Sequence, residues 1–570
     1  LKSSPPESSF LRQLFIPVLL VAVILAIYYP AISSGIHSID DPGILSHFSS
    51  PPGLLKILLP GHTYYFRPIV ELSYYLDSKL WGMEPTVMHL ENILLHAVNA
   101  LLVFFICRRV TAHYPERSQY IPVLTSLLFA LHPLNVEAIS WIAGRTDPLA
   151  TAFVLTACYL LLCWLENPIV CYVSGAVFLF VMALLTKETV IAFLPIFALI
   201  TLVWPGVSLE KRWGVLVGVG ISCLAAVALI ILVWKSGLVS FDRFFSGFDI
   251  GNAVFTALIA FGFYVKKLLL PLPLNFAITE VNPMYGLFGV LSLVAIATGF
   301  IKRRFTSLFF VVSAIMVMPA LLAAVKQIAW TPFAERYMYL PTAFLCIGTC
   351  SLLNSLSQKV LNFVLPLGLI FICLFGGISY QRNLLWKDKR SFFQDAVAKS
   401  PGFGSVHNEL GTIYLQERQI TLAAESFAAA DRLNNRPSMR MLIKSNVMAT
   451  IIAQGNLVEA RNYFFQLFAD KNTASVAFLE LLYAADNKRI ESLTLVEKVT
   501  LAYDLLETMG LLYQKSHEPF WLYRSGQIAL VTGNKSDAAG FFHKAYSNAP
   551  QDAHYKGAAK TYFTRLETEK

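Results

Sequence analysis

The sequence predicts an all-α protein in two parts, a polytopic membrane domain followed by a soluble α-helical repeat domain. Three observations carry this. The 570 residues are 56% hydrophobic and 14% charged, whereas a soluble domain is about 25% charged. Apolar runs of about 18 residues, the length one helix needs to cross a core of roughly 30 Å, recur along residues 13–380 and stop there. Residues 381–570 are rich in Ala, Asn, Gln, Lys, Arg and Glu instead. The domains are therefore drawn as 1–380 and 381–570.

About eleven spans are expected, at 13–30, 88–107, 121–132, 148–165, 169–185, 189–205, 214–234, 286–301, 305–325, 338–356 and 360–379. Lys2 and Arg12 precede the first span. Arg108, Arg109 and Arg117, then Lys211 and Arg212, then Lys302, Arg303 and Arg304 flank later ones. The positive-inside rule puts these groups in the cytoplasm. It holds throughout only if residues 253–270 lie in the interface or re-enter. That stretch carries Lys266 and Lys267 and ends at Pro271 and Pro273, which suits such a helix. The N-terminus is then cytoplasmic and the repeat domain outside. The net charge of +9 belongs to these loops and to lipid head groups. No basic patch with interleaved aromatics suggests a nucleic-acid partner. All eight cysteines lie in or beside apolar segments, which argues against a disulfide framework.

The soluble part repeats. Gly411, Tyr414, Ala423, Phe427 and Ala430 sit at the offsets of a tetratricopeptide repeat. Gly526, Ala538, Phe542, Ala545 and Pro550 nearly repeat them, and Gly455, Ala460 and Phe464 form a partial match between. Small residues let two helices approach, an aromatic fills the gap, and each pair buries its apolar face on the next. Arrays of this kind bind proteins or peptides.

The unusual polar residues gather on the predicted outer face. Asp40 and Asp41 follow the first span, where a carboxylate must face water, a partner or a substrate. Their plain reading is a turn with Pro42 and Gly43. Glu137, Arg145 and Asp147 form a second group, with Asp147 placed to cap the next helix. Lys187 and Glu188 lie between two spans, where an ion pair between them is the plain account. Arg336 opens a span beside Glu335, Tyr337 and Tyr339, as an interfacial anchor does. Arg67 is placed similarly. His37, His47, His62 and His132 lack metal-ligand spacing, and His132 before Pro133 reads as structural. No P-loop, dinucleotide fingerprint or Cys-x-x-Cys is present. Transfer of a sugar from a phosphate-linked donor needs a carboxylate base and cations for the leaving phosphate. This face offers both.

The stretches IDDPGIL, FALHPLNVEAISWIAGRTDPLA, LLTKETVIAFLP, KKLLLPLPLNF and AERYMYLP, followed by the repeats, resemble the GT-C superfamily of polyprenyl-phosphate-dependent glycosyltransferases. Within it the chain is similar to the transmembrane and tetratricopeptide-repeat-containing O-mannosyltransferases and their bacterial relatives. The resemblance implies a GT-C membrane fold and an inverting transfer, on the outer face, from a polyprenyl-phosphate monosaccharide to an acceptor hydroxyl, with protein Ser or Thr as the expected acceptor. It maps the base to Asp40, with Asp41 as its neighbour. Glu137, Arg145, Lys187, Glu188, Arg336 and Arg67 become the candidates for binding donor phosphate or acceptor. It implies no metal or other cofactor, since the lipid-linked sugar is a substrate. The expected partners are that lipid, a protein or peptide acceptor at the repeats, and the surrounding membrane lipids. The expected location is a bacterial inner membrane with the repeats in the periplasm. The competing expectation is a non-catalytic membrane scaffold whose repeats recruit protein partners.

Overall fold

The computed structural model describes residues 7–60, 65–114, 120–236, 249–327, 330–434 and 436–569. Lys2, His62 and Arg117, named above, lie outside the described residues. The described residues are helical, with no β-strand among them. The chain divides into two compact units, Leu1–Ser400 and Pro401–Lys570.

The first unit holds α1 (Glu7–Ile32), α2 (Asp41–Ser49), α3 (Leu54–Ile57), α4 (Pro68–Leu80), α5 (Pro85–Thr111) and α6 (Tyr120–Ala130). Next come α7 (Val136–Ser140), α8 (Thr146–Glu166), α9 (Val170–Thr186), α10 (Leu194–Val203) and α11 (Leu209–Lys235). The unit closes with α12 (Ile250–Leu269), α13 (Tyr285–Lys302), α14 (Arg304–Lys326), α15 (Tyr339–Asn354), α16 (Gln358–Lys387) and α17 (Lys389–Lys399). Each expected span overlaps one of these helices, but 169–185, 189–205 and 338–356 fall on α9, α10 and α15, which are shorter than a candidate span, and 189–193 is a 3-10 turn. By length and composition, 8 of the described helices can cross a membrane, or 9 if a bent pair counts as one. That pair is Tyr120–Ala130 with Pro133–Ser140, bent by 44°. The break follows from Pro133, which has no N–H to continue the helix.

One expectation meets a competing observation, and another changes. Residues 253–270, expected to lie in the interface or re-enter, form a continuous helix that is also long and apolar enough to span. This helix, α12, meets α13 backbone to backbone. A Cβ on Gly262 would lie 1.9 Å from the Tyr285 carbonyl oxygen, and one on Gly289 would lie 2.4 Å from that of Leu258. Only glycine fits at either place. The division between units also falls at Ser400, not at 380. The last turns of α16 bury Ser379, Arg382, Asn383 and Trp386, and α17 buries Phe392 and Phe393. The apolar run ends at 380, but the packing continues.

The second unit holds α18 (Gly404–Gln416), α19 (Ile420–Leu433), α20 (Pro437–Ala453), α21 (Leu457–Leu467), α22 (Val476–Arg489), α23 (Leu495–Ser516), α24 (Phe520–Val531), α25 (Lys535–Asn548) and α26 (Lys556–Thr568). They form tetratricopeptide-like hairpins. In α18 and α24 the glycine receives the partner's ring: a Cβ on Gly411 would meet Phe427, and one on Gly526 would meet Phe542, each at 2.8 Å. Gly455 plays a different part from the one its place in the partial match suggested. It sits in the turn at φ +83, where an added Cβ would meet nothing within 4 Å, and Arg418 (φ 60) and Gly533 (φ 77) take the same left-handed place in their turns. The same backbone bonds close all three turns: Gln419 N–H to Tyr414 O, Asn456 N–H to Ile451 O and Asn534 N–H to Ala529 O, at 2.8, 3.2 and 3.0 Å. In that alignment Met448 takes the place of the packing glycine, in one buried cluster with Phe464.

Candidate active site

Asp40 and Asp41 open α2, whose start is set by Pro42 in its first turn. Neither carboxylate caps that helix. Asp41 is fully buried. It accepts the His37 N–H at 2.6 Å and the Ala143 N–H at 3.1 Å. Ala143 can reach it because the turn Ile142–Arg145 lies hard against α7, where a Cβ on Gly144 would be 2.6 Å from the Ala138 carbonyl oxygen. Burial pushes the Asp41 pKa up to about 7, and the neighbouring Asp40 charge adds to this against both hydrogen bonds.

Asp40 differs from its neighbour in exposure and in partners. It is exposed, and its side chain makes no capping bond. The protein around it still raises its pKa by desolvation, while the charges of Arg336 and Arg67 pull the other way. Among the described residues the Asp40 carboxylate has no hydrogen-bond or ion-pair partner, and the charges of two guanidinium groups act on it.

Three ion pairs join distant segments here, and the cations of two of them, Arg336 and Arg67, act on Asp40. Arg336 Nη1 meets Glu137 Oε1 at 2.5 Å, and its guanidinium lies 5.1 Å from the ring centres of both Trp141 and Tyr337. Arg67 forks onto Glu188 through Nε at 3.0 Å and Nη2 at 2.6 Å. Lys187 Nζ meets Asp147 Oδ1 at 2.5 Å and lies 5.8 Å from the Tyr337 ring centre. Lys187 and Glu188 therefore serve different partners and do not pair with each other. Asp147 is in the first turn of α8 as an ion-pair partner, not the cap. Arg336 does not use its neighbour Glu335. That residue is buried with Lys267, Nζ to Oε1 2.6 Å, at the end of α12. His132 is structural: Nε2 donates to Leu268 O at 3.1 Å while Nδ1 accepts the Leu134 N–H at 3.4 Å.

Arg145 is corrected from a substrate-binding candidate to a buried brace. Its side chain is 2% exposed and pairs with Asp77 at 2.6 Å and Glu91 at 2.8 Å. It also bonds Asn92 Oδ1 and Met88 O. Little of that guanidinium is left for a ligand. The sequence reading did not name Trp141 and did not assign Tyr337, Lys267 or His37 to the site. Trp141 and Tyr337 lay beside charged residues already singled out, and that adjacency was the available signal. No group of three or more His, Cys, Asp or Glu among the described residues could hold a metal ion.

No family model matches the chain. The protein O-mannosyl-transferase F38B6.6 of Caenorhabditis elegans is 26% identical over 377 residues, 63% of this chain and 52% of its own length. Human protein O-mannosyl-transferase TMTC1 is 35% identical over 92 residues, 16% of this chain and 10% of its own. Human TMTC2 is 34% identical over 103 residues, 18% and 11%. This chain is related to the protein O-mannosyl-transferases. It spans about half the length of the nematode relative and much less of the human ones. Its apolar helices and these relatives make it a multi-pass membrane protein. Among solved structures, yeast Tom70 aligns over 79% of this chain and 93% of its own, with a TM-score of 0.19 and 12% identity. No argument rests on that alignment.

Proposed function

We propose that this chain is a membrane glycosyltransferase that moves a monosaccharide from a polyprenyl-phosphate donor to an acceptor hydroxyl, with inversion. The name its relatives carry supports mannose as the sugar and protein as the acceptor. One observation carries the reading: Asp40 is an exposed carboxylate with no partner among the described residues, acted on by the charges of Arg336 and Arg67. Asp40 takes the acceptor proton as the oxygen bonds the anomeric carbon and the carbon–phosphate oxygen bond breaks. The polyprenyl phosphate leaves with that electron pair, and Arg67, Arg336 and Lys187 lower the energy of its charge. Glu137, Asp147 and Glu188 hold these cations in place through the ion pairs above. Asp41 shapes the turn that presents Asp40. The reaction needs no metal. The site faces the periplasm of a bacterial inner membrane, with the N-terminus in the cytoplasm and the repeats outside to bring in the acceptor.

Purified protein in nanodiscs, given labelled polyprenyl-phosphate mannose and a Ser/Thr peptide, should transfer label to the peptide. Asp40→Asn should lower kcat by about 10² or more, the usual yield of a positioned base. Wild-type protein that transfers nothing would leave the scaffold reading standing. A fully active Asp40→Asn, with Asp41→Asn folded but inactive, would move the role to Asp41.

A further inference from the structure

One buried group beside the site has no part in this chemistry. His37 lends only its main-chain N–H to Asp41. The residue is 4% exposed, and neither ring nitrogen has a hydrogen-bond partner among the described residues. Five aromatic rings surround it, with centroids at 4.7 Å (Phe392), 5.0 Å (Trp386), 5.3 Å (Phe393), 5.6 Å (Phe276) and 6.1 Å (Trp141). Burial, then the charges of Lys389 and His89, hold its pKa down to about 3. The imidazole is therefore neutral near pH 7 and serves as neither acid nor cation there.

The box is built from four separate segments, two of them with contacts of their own to the site. Trp141 stands two residues before Ala143, the second donor to Asp41, and carries Arg336 on its face. Phe276 lies between Asn275 and Ala277. Asn275 Nδ2 donates to Ser400 Oγ at 2.9 Å, and the Ser400 hydroxyl donates to Ala277 O at 2.5 Å. The Asn275 N–H donates to Glu335 Oε1 at 2.9 Å, next to Arg336. Trp386 ends α16, and Phe392 and Phe393 come from α17. The ring of His37 is thus the part of the Asp40 loop that the rest of the unit grips.

We propose that His37 is a positioning residue for the transfer reaction: the aromatic box closed by Phe392 and Phe393 fixes its backbone, which seats Asp41 and so aims Asp40. This rests on the reading of Asp40 as the base. The ring acts by its shape, so another flat ring can stand in for it and a methyl group cannot.

The full chain in nanodiscs tests this with His37→Ala, His37→Phe, Phe392→Ala and Phe392→Leu. Amide hydrogen exchange across residues 36–43 is read together with kcat and the KM for labelled donor. In His37→Ala and Phe392→Ala, exchange across that stretch should speed up about tenfold or more. Their kcat should fall about 10- to 100-fold, the scale of an ångström's misplacement, with donor KM within about threefold. His37→Phe and Phe392→Leu should keep both near wild type. Unchanged exchange in the two alanine variants overturns the proposal. So does a His37→Phe as impaired as His37→Ala, which would assign the role to the ring nitrogens. If an alanine variant does not fold, its conservative partner decides alone: wild-type exchange and kcat support the seat, and loss of either overturns it. A wild type that transfers no sugar removes the proposed function, and the exchange measurements then still decide whether the box seats the loop.

Discussion

Two adjacent carboxylates with opposite surroundings define this protein at the residue scale. Asp41 has its pKa raised from the ordinary 3.8 to about 7. Between those values the folded protein keeps a proton that the unfolded chain has released, so stability falls as pH rises through that window. Asp41→Asn should flatten this part of the profile, and thermal melts in nanodiscs from about pH 4 to about pH 8 would show it. Equal slopes in wild type and variant would contradict the burial argument. The acid pair was legible in the sequence because charge beside a span is conspicuous. Which acid is free was not. The second donor to Asp41 is Ala143, 102 residues away, and nothing in the local pattern names it. Arg145 was misread for the same reason, since its partners Asp77 and Glu91 sit on other helices.

The repeats show at the scale of elements how a helix hairpin records its geometry. A glycine and an aromatic sixteen residues apart, as in Gly411 with Phe427 and Gly526 with Phe542, are visible in sequence and meet in space. The hairpin between them was only half legible, because Met448 fills the packing place and Gly455 serves the turn. A left-handed residue other than glycine costs about 1–2 kcal/mol. Gly455→Ala should therefore destabilise the second unit by about that much. Arg418→Gly, at φ 60, should stabilise it by up to about 1 kcal/mol after the greater freedom of glycine in the unfolded chain is counted. Urea unfolding followed within the repeat unit would give both signs. In the first unit, losing one partner of the buried Lys267–Glu335 pair leaves the other charge stranded. Glu335→Ala should cost about 3–5 kcal/mol, read as a lower melting temperature.

Over the whole molecule, contacts sort the helix ends of the first unit onto two faces. One face carries the candidate site. The opposite face holds Arg109 with Glu166, Lys211 with the Leu165 and Glu166 carbonyls, and Tyr114 with Thr306 and Ser351. Helix α11 begins on that opposite face and has 27 residues, enough to reach the site face. Helix α12 ends on the site face, where Lys267 meets Glu335 and His132 meets Leu268 O. The parity closes if α12 returns to the face it left, as an interfacial or re-entrant helix does, despite its length. Reporters inserted after residues 236 and 282 should then report the same side, and one after residue 302 the other. The charge pattern argues for this return, whereas length and apolarity argue for a crossing. The Ser400 hydroxyl, held by Asn275 and Ala277, has a practical consequence for anyone dividing this polypeptide. A membrane half cut at 380, where the apolar run ends, would leave behind Trp386, Phe392 and Phe393 and with them the support of the Asp40 loop. A half cut just past Ser400 keeps every residue of that support, so the first piece should lose its fold at the site while the second should stand alone.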